Sequence, residues 1–325
     1  MKKHTIIVDY PLNVAPDRIK LQNCAPDAEL IYLEDGKELT ESQLAAADAV
    51  IGVPPEPDVL EHMKQLKWLQ LLSAGAEQYA KPGALPERTI LTCATGAFGK
   101  SMSEYMICAV LSLMLDFPRY RDNQKNHAWE KGGRIRHIAG TTALVVGLGD
   151  IGSEFAARYK ALGGYVVGIK RTPAARKPDY ADELYTTEEL DRHIPRADVV
   201  ALSLPSTKET VRLFGAERIA LMKRDALLIN VGRGTAVDTD ALSDALYSEK
   251  IGGAALDVTD PEPLPPDHPL WDAPNTIITP HVSGGWEAPE NTERVLDIVY
   301  DNLRRFADGL PLRNIVDRKT GYRTH

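Results

Sequence analysis

The sequence predicts an α/β protein of two domains, each a doubly wound parallel sheet with helices on both faces. The chain has 325 residues, more than one hydrophobic core usually serves. Its apolar residues fall in short runs separated by polar, helix-like stretches, the pattern of strands buried on both faces. That alternation occurs twice, with a long apolar segment between the two series.

The first series is Ile6-Ile7-Val8, Leu30-Ile31-Tyr32-Leu33, Ala49 to Val53 and Trp68 to Leu72. Thr40 ahead of Glu41 to Ala47, and Pro57-Asp58 ahead of Val59 to Lys64, have the chemistry of helix starts. Ser101 to Phe117 has few polar positions, so it reads as a largely buried helix, and Pro118 is expected to end it. The second series is Leu144-Val145-Val146, Tyr165 to Ile169, Val199 to Leu204, Leu227 to Val231, Ala254 to Val258 and Thr276 to Thr279. After Gly284-Gly285 a last helix from about Glu287 to Ala307 carries Val295, Val299, Leu303 and Phe306, one apolar stripe. The Pro-rich Asp260 to Pro269 reads as a rigid loop.

Composition narrows the function classes. The 43% hydrophobic and 26% charged content is that of a globular protein. A net charge of -8 speaks against a nucleic-acid or anionic-membrane partner, which needs a basic face. Cys24, Cys93 and Cys108 lack metal-like spacing, so no metal site and no disulfide is expected, and all three read as small buried hydrophobes. Met1-Lys2-Lys3-His4 runs straight into a strand, and Met106 to Leu115 is far short of the roughly 20 residues that span a bilayer. A cytoplasmic, soluble protein is expected.

Gly147-Leu148-Gly149-Asp150-Ile151-Gly152 matches G-x-G-x-x-G directly after an apolar strand and directly before Ser153 to Leu162, a helix pattern. In that setting Gly147 permits a tight turn, Gly149 lets backbone approach a pyrophosphate, and Gly152 lets helix and strand pack closely. The phosphates meet the amide end of the helix. A site for NAD carries an acidic residue at the end of the next strand. Here that strand ends in Lys170-Arg171-Thr172, groups that attract a 2'-phosphate, so NADP(H) is the expected cofactor, with NAD(H) still open to it.

Three further strand exits deliver an Arg, a Glu and a His. Arg233 lies in Asn230-Val231-Gly232-Arg233-Gly234, and its planar fork suits a carboxylate and a neighbouring carbonyl. Asp257 ends the next strand and Glu262 follows between prolines. His281 lies in Thr279-Pro280-His281 after one strand more. A Glu beside a His favours the imidazolium, which supplies the proton that ketone reduction needs besides a hydride.

These motifs, in this order over nearly the whole chain, resemble the D-isomer-specific 2-hydroxyacid dehydrogenase family. The resemblance implies that Arg233 binds substrate carboxylate and carbonyl, that Glu262 tunes His281, and that His281 is general acid in reduction and base in oxidation. It implies that Asp257 bonds the nicotinamide carboxamide, with Asp150, Ile151, Leu204, Pro205, Val231 and Gly232 also lining the cofactor. The amides of Ala74, Gly75 and Ala76 would grip the substrate carboxylate, and Trp286 would limit the pocket to short side chains. It further implies a Rossmann cofactor domain, residues 100–284, inserted in a flavodoxin-like substrate domain, residues 1–99 and 285–325, and a homodimer paired through the cofactor domains. The expected activity is NADPH-preferring reduction of a small 2-keto acid, glyoxylate or hydroxypyruvate in kind, to the D-2-hydroxy acid. The alternatives are a 3-phosphoglycerate dehydrogenase-like enzyme and a non-catalytic nicotinamide-sensing protein.

Overall fold

The computed structural model describes residues 4–9, 15–33, 39–52, 59–60, 63–133, 135–173, 176–285 and 288–323. The helix start expected at Pro57-Asp58, and Trp286, lie outside them. The chain divides into two compact units, Met1–Ala97 with Trp286–His325, and Phe98–Gly285. Each is built on a parallel sheet, as the buried apolar runs predict.

In the first unit the parallel sheet consists of β1 (Thr5–Val8), β2 (Glu29–Tyr32), β3 (Ala49–Gly52), β4 (Trp68–Leu71) and β5 (Ile90–Thr92). Their order, β2-β1-β3-β4-β5, is that of a flavodoxin-like doubly wound sheet. Ile7, Val50, Leu69 and Leu91 form its core with Leu60, Met63 and Leu66. The final helix, Pro289–Ala307, returns to this unit. Val295, Val299 and Leu303 of its stripe are fully buried, and the Phe306 ring lies 5.0 Å from that of Trp68. The buried Asn302 donates to Gln70 Oε1 at 2.7 Å and so ties the helix to β4.

The described residues of the second unit form a seven-stranded sheet: β6 (Thr142–Val146), β7 (Tyr165–Lys170), β8 (Glu183–Thr186), β9 (Val199–Leu202), β10 (Leu227–Asn230), β11 (Gly253–Leu256) and β12 (Thr276–Ile278). The order is β12-β11-β10-β9-β6-β7-β8. From β6 the chain turns one way to β7 and later resumes on the other side with β9, which makes the β6/β9 boundary the switch point where such sheets bind ligands. Register aligns the strand ends. Ile169 pairs with Val146, Val146 with Leu202, Leu202 with Asn230, Asn230 with Leu256 and Leu256 with Ile278. The residues that leave those strands therefore emerge along one edge.

Two local expectations are corrected. The apolar helix spans Gly99–Met114 and stops before Asp116, whose φ is 61°. Pro118 does not end a helix but lies in the first turn of a new one, Phe117–Lys125, where a missing backbone donor costs nothing. The long helix buries Met102, Met106, Val110 and Leu113 and packs on the helix Asp150–Ala161. Cys108 is exposed, unlike Cys24 and Cys93: it shares the outward face with Glu104, one turn away. Among the described residues no helix is long and apolar enough to cross a membrane.

Candidate active site

The glycine loop leaves β6 as a tight turn. Gly147 has φ 95°, and a Cβ there would lie 2.9 Å from the Ser203 carbonyl. A Cβ on Gly152 would lie 1.9 Å from the Gly147 carbonyl oxygen, so only glycine lets the helix sit this close to the strand exit. Gly149 caps the helix Asp150–Ala161 without a side chain, and a Cβ added to it would meet nothing within 4 Å. The helix start is thus open where the phosphates of a dinucleotide would approach its amides. These residues fit the group. The Asp150 carboxylate accepts from Gly99 N at 2.8 Å, which ties this start to that of the neighbouring helix. Ile151 is half-buried beside it.

Lys170 ends β7 level with Gly147, because Ile169 pairs with Val146. Lys170 is half-exposed, and Arg171 and Thr172 are exposed. The nearby Glu209 carboxyl is held below its ordinary range, first by its own backbone amide, then by Thr207, with the charge of Arg171 adding to this. Leu204 and Pro205 follow β9; the Leu204 backbone would lie 2.4 Å from a Cβ on Gly232. The Pro205 carbonyl accepts from Thr210 Oγ1 at 2.6 Å.

Asn230 shapes the loop after β10. Wholly buried, it accepts from Gly232 N at 3.1 Å and donates to the Arg233 carbonyl at 3.0 Å. Val231 is buried, and Gly234 approaches the Thr259 backbone so closely that a Cβ would overlap its carbonyl. Arg233, half-buried, starts its guanidinium from a bond of Nη1 to the Gly232 carbonyl at 2.8 Å.

His281 Nδ1 lies 2.6 Å from Glu262 Oε1, with both side chains nearly half exposed. The carboxylate is an acceptor, so Nδ1 carries the proton, and Nε2 is the ring nitrogen that this contact leaves unused. Behind this pair stands Asp257, 1% exposed. Its Oδ1 accepts from Thr279 Oγ1 at 2.6 Å and Val282 N at 2.9 Å; its Oδ2 accepts from Ser283 N at 2.9 Å and Ser283 Oγ at 2.5 Å. Asp257 thus binds both ends of the segment that carries His281, a task unforeseen from the residue order.

A family model described as D-isomer specific 2-hydroxyacid dehydrogenase, NAD binding domain, matches residues 107–283. The chain belongs to this dehydrogenase family. Glyoxylate/hydroxypyruvate reductase B of Pectobacterium carotovorum is 33% identical over 287 residues, 84% of this chain and 87% of that protein. A family member from Aeromonas salmonicida, solved by crystallography, matches 98% of this chain and 100% of its own with a TM-score of 0.84 at 33% identity. The crystal structure of the NADPH-dependent glyoxylate/hydroxypyruvate reductase of Sinorhizobium meliloti, in complex with NADP and sulfate, matches 98% of this chain and 100% of its own with a TM-score of 0.81 at 28% identity. The protein is an oxidoreductase that uses a nicotinamide dinucleotide.

In this dehydrogenase the second unit brings the glycine loop, Arg233, Glu262 and His281 to one sheet edge. Ala74, Gly75 and Ala76, expected to bind the substrate carboxylate, belong to the first unit, after β4. Ser73 Oγ donates to the Gly75 carbonyl at 2.8 Å and shapes that turn. Among the described residues the amides of Ala74, Gly75 and Ala76 donate to no carbonyl. Trp286 lies outside the described residues. Asn230, Thr279 and Ser283 went without a role in the sequence reading, although a polar residue closing an apolar strand was a usable sign for Asn230.

Proposed function

We propose that the protein reduces a small 2-keto acid of the glyoxylate or hydroxypyruvate kind to the D-2-hydroxy acid and prefers NADPH. The observation that carries this reading is the 2.6 Å contact between His281 and Glu262, on the sheet edge that also holds the glycine loop and Arg233. The nicotinamide, when bound, supplies the hydride for the α-carbon. Glu262 holds Nδ1 of His281, and the protonated ring gives the Nε2 proton to the carbonyl oxygen. Arg233 takes the carboxylate and polarises that same oxygen. The amides of Ala74, Gly75 and Ala76 bind the carboxylate. The Lys170-Arg171-Thr172 exit supports the NADPH preference, since a carboxylate there would repel a 2'-phosphate.

Initial rates of NADPH and NADH oxidation with glyoxylate, hydroxypyruvate, pyruvate and longer 2-keto acids test the reading. NADPH turnover with the short acids is expected; preference for NADH would refute the cofactor assignment, and silence with cofactor binding intact would refute the reaction. In Glu262→Gln an acceptor oxygen remains but the negative charge that stabilises the protonated ring is gone, so reduction is expected to fall away at a lower pH than in the parent.

A further inference from the structure

His281 stands in a backbone shape that its residue type disfavours. Its φ is 54°, in the left-handed region, which a non-glycine residue keeps only where its surroundings over-determine it. Here the surroundings are the Asp257 clamp and a bond from His281 N to the Asp257 carbonyl at 2.8 Å. The clamp continues outward. Thr279 Oγ1, which meets Asp257 Oδ1, also lies 2.6 Å from the hydroxyl of Tyr105, 174 residues away in the chain.

The direction of these bonds follows from counting protons. The Asp257 carboxylate is an acceptor only and also takes Val282 N, Ser283 N and Ser283 Oγ, so the single hydroxyl proton of Thr279 goes to Asp257. Tyr105 must then be the donor to Thr279. Burial pushes the Tyr105 hydroxyl above its ordinary range, with Thr279 opposing, so it keeps that proton in the working range of the enzyme. Tyr105 sits in the second turn of the helix Gly99–Met114, whose first residue bonds Asp150 at the start of the glycine-loop helix. One helix thus touches both the glycine-loop helix and the histidine segment.

We propose that Tyr105 and Thr279 are positioning residues for the proton donor: they hold the Asp257 clamp and, through it, the left-handed turn that presents His281 to Glu262. The proposal rests on the reading of His281 as proton donor.

Turnover, KM values and the pH profile of kcat, measured on the full chain, test it. Thr279→Val is expected to lower kcat about ten- to hundredfold and Tyr105→Phe about three- to tenfold, the range that misplacing a reacting group by a fraction of an ångström produces. KM for NADPH stays within about twofold. Thr279→Ser, which keeps the hydroxyl, retains at least about half of kcat, and Tyr105→Phe adds nothing to Thr279→Val because the two act in series. The pH profile moves in the same direction as in Glu262→Gln, since a loosened His281 loses that contact. Parental kcat in Tyr105→Phe and Thr279→Val, beside an inactive His281→Asn, would overturn the positioning role alone, and parental kcat in His281→Asn would overturn the donor reading itself. A loss shared equally by Thr279→Ser would also overturn it. If Thr279→Val does not fold, Tyr105→Phe decides by the same criteria.

Discussion

Gly149→Ala and Gly152→Ala, three residues apart in one turn, are expected to fail in opposite ways. The Cβ that Gly152→Ala introduces would lie 1.9 Å from the Gly147 carbonyl oxygen and 2.8 Å from Ser203 Oγ. Neither atom is loose: Ser203 Oγ donates to that carbonyl at 2.8 Å, and Gly147 N is bonded to Ile169. The helix start must therefore withdraw by roughly 1.5 Å to reach ordinary contact. Overpacking of this kind costs about 1–3 kcal/mol, or a Tm lower by about 3–10 °C for a domain of this size. At Gly149 the added Cβ meets no protein atom within 4 Å and φ is -78°, so stability should change by less than about 0.5 kcal/mol. The same Cβ stands where the pyrophosphate approaches, and the NADPH Kd should rise about tenfold or more, the loss of one contact worth roughly 1.4 kcal/mol. Urea unfolding without cofactor, beside a fluorescence titration with NADPH, separates the two. Parental NADPH affinity in Gly149→Ala would refute the pyrophosphate assignment; a parental urea midpoint in Gly152→Ala would refute the packing argument.

Replacing both Lys170 and Arg171 by Ala should weaken NADPH about ten- to hundredfold more than NADH; equal losses for the two cofactors count against a phosphate site. Burial, with the Arg196 charge second, holds His193 below its ordinary range, so its stabilisation is complete above about pH 6.5 and is lost as pH falls toward the folded-state value. Glu183 is held down to about 2, first by Arg196, so its contribution is present above about pH 4.5 and is lost as pH falls toward about 2. Urea midpoints against pH should therefore show an upper step that His193→Phe removes and a lower one that Glu183→Gln removes; unchanged curves would contradict both. Asn302→Leu strands Arg313 N and O and loosens Gln70, at a cost of about 2–4 kcal/mol. The NADPH Kd should not move, and a parental urea midpoint would show the network to be dispensable.

Much of the fold was legible because its cues are local. A strand buried on both faces is apolar throughout, so nearly every central strand announced itself. Two edge strands of the parallel sheets did not. β5 offers only Ile90 and Leu91 before Thr92, and β8 is a half-exposed strand with a polar start, Glu183. The helix boundary at Asp116 was hidden because Phe117 and Pro118 look like the end of one apolar run, whereas a left-handed residue starts a second helix there.

The residue order by itself marked the turn at Gly147 to Gly152, the basic exit of β7, and the three strand exits that carry Arg233, Glu262 and His281. In each case the requirement, a backbone angle, a charge or a proton, belongs to a few neighbouring residues. Only the tertiary structure decided that register would set Gly147, Val231, Asp257 and Thr279 along one edge. It alone gave Asp257 to the histidine segment, and it set the Tyr105 hydroxyl beside a threonine 174 residues away. Those choices come from strand pairing and helix packing, where partners are selected by how whole elements bury their apolar faces, and that selection leaves no mark on the sequence near Tyr105 or Thr279.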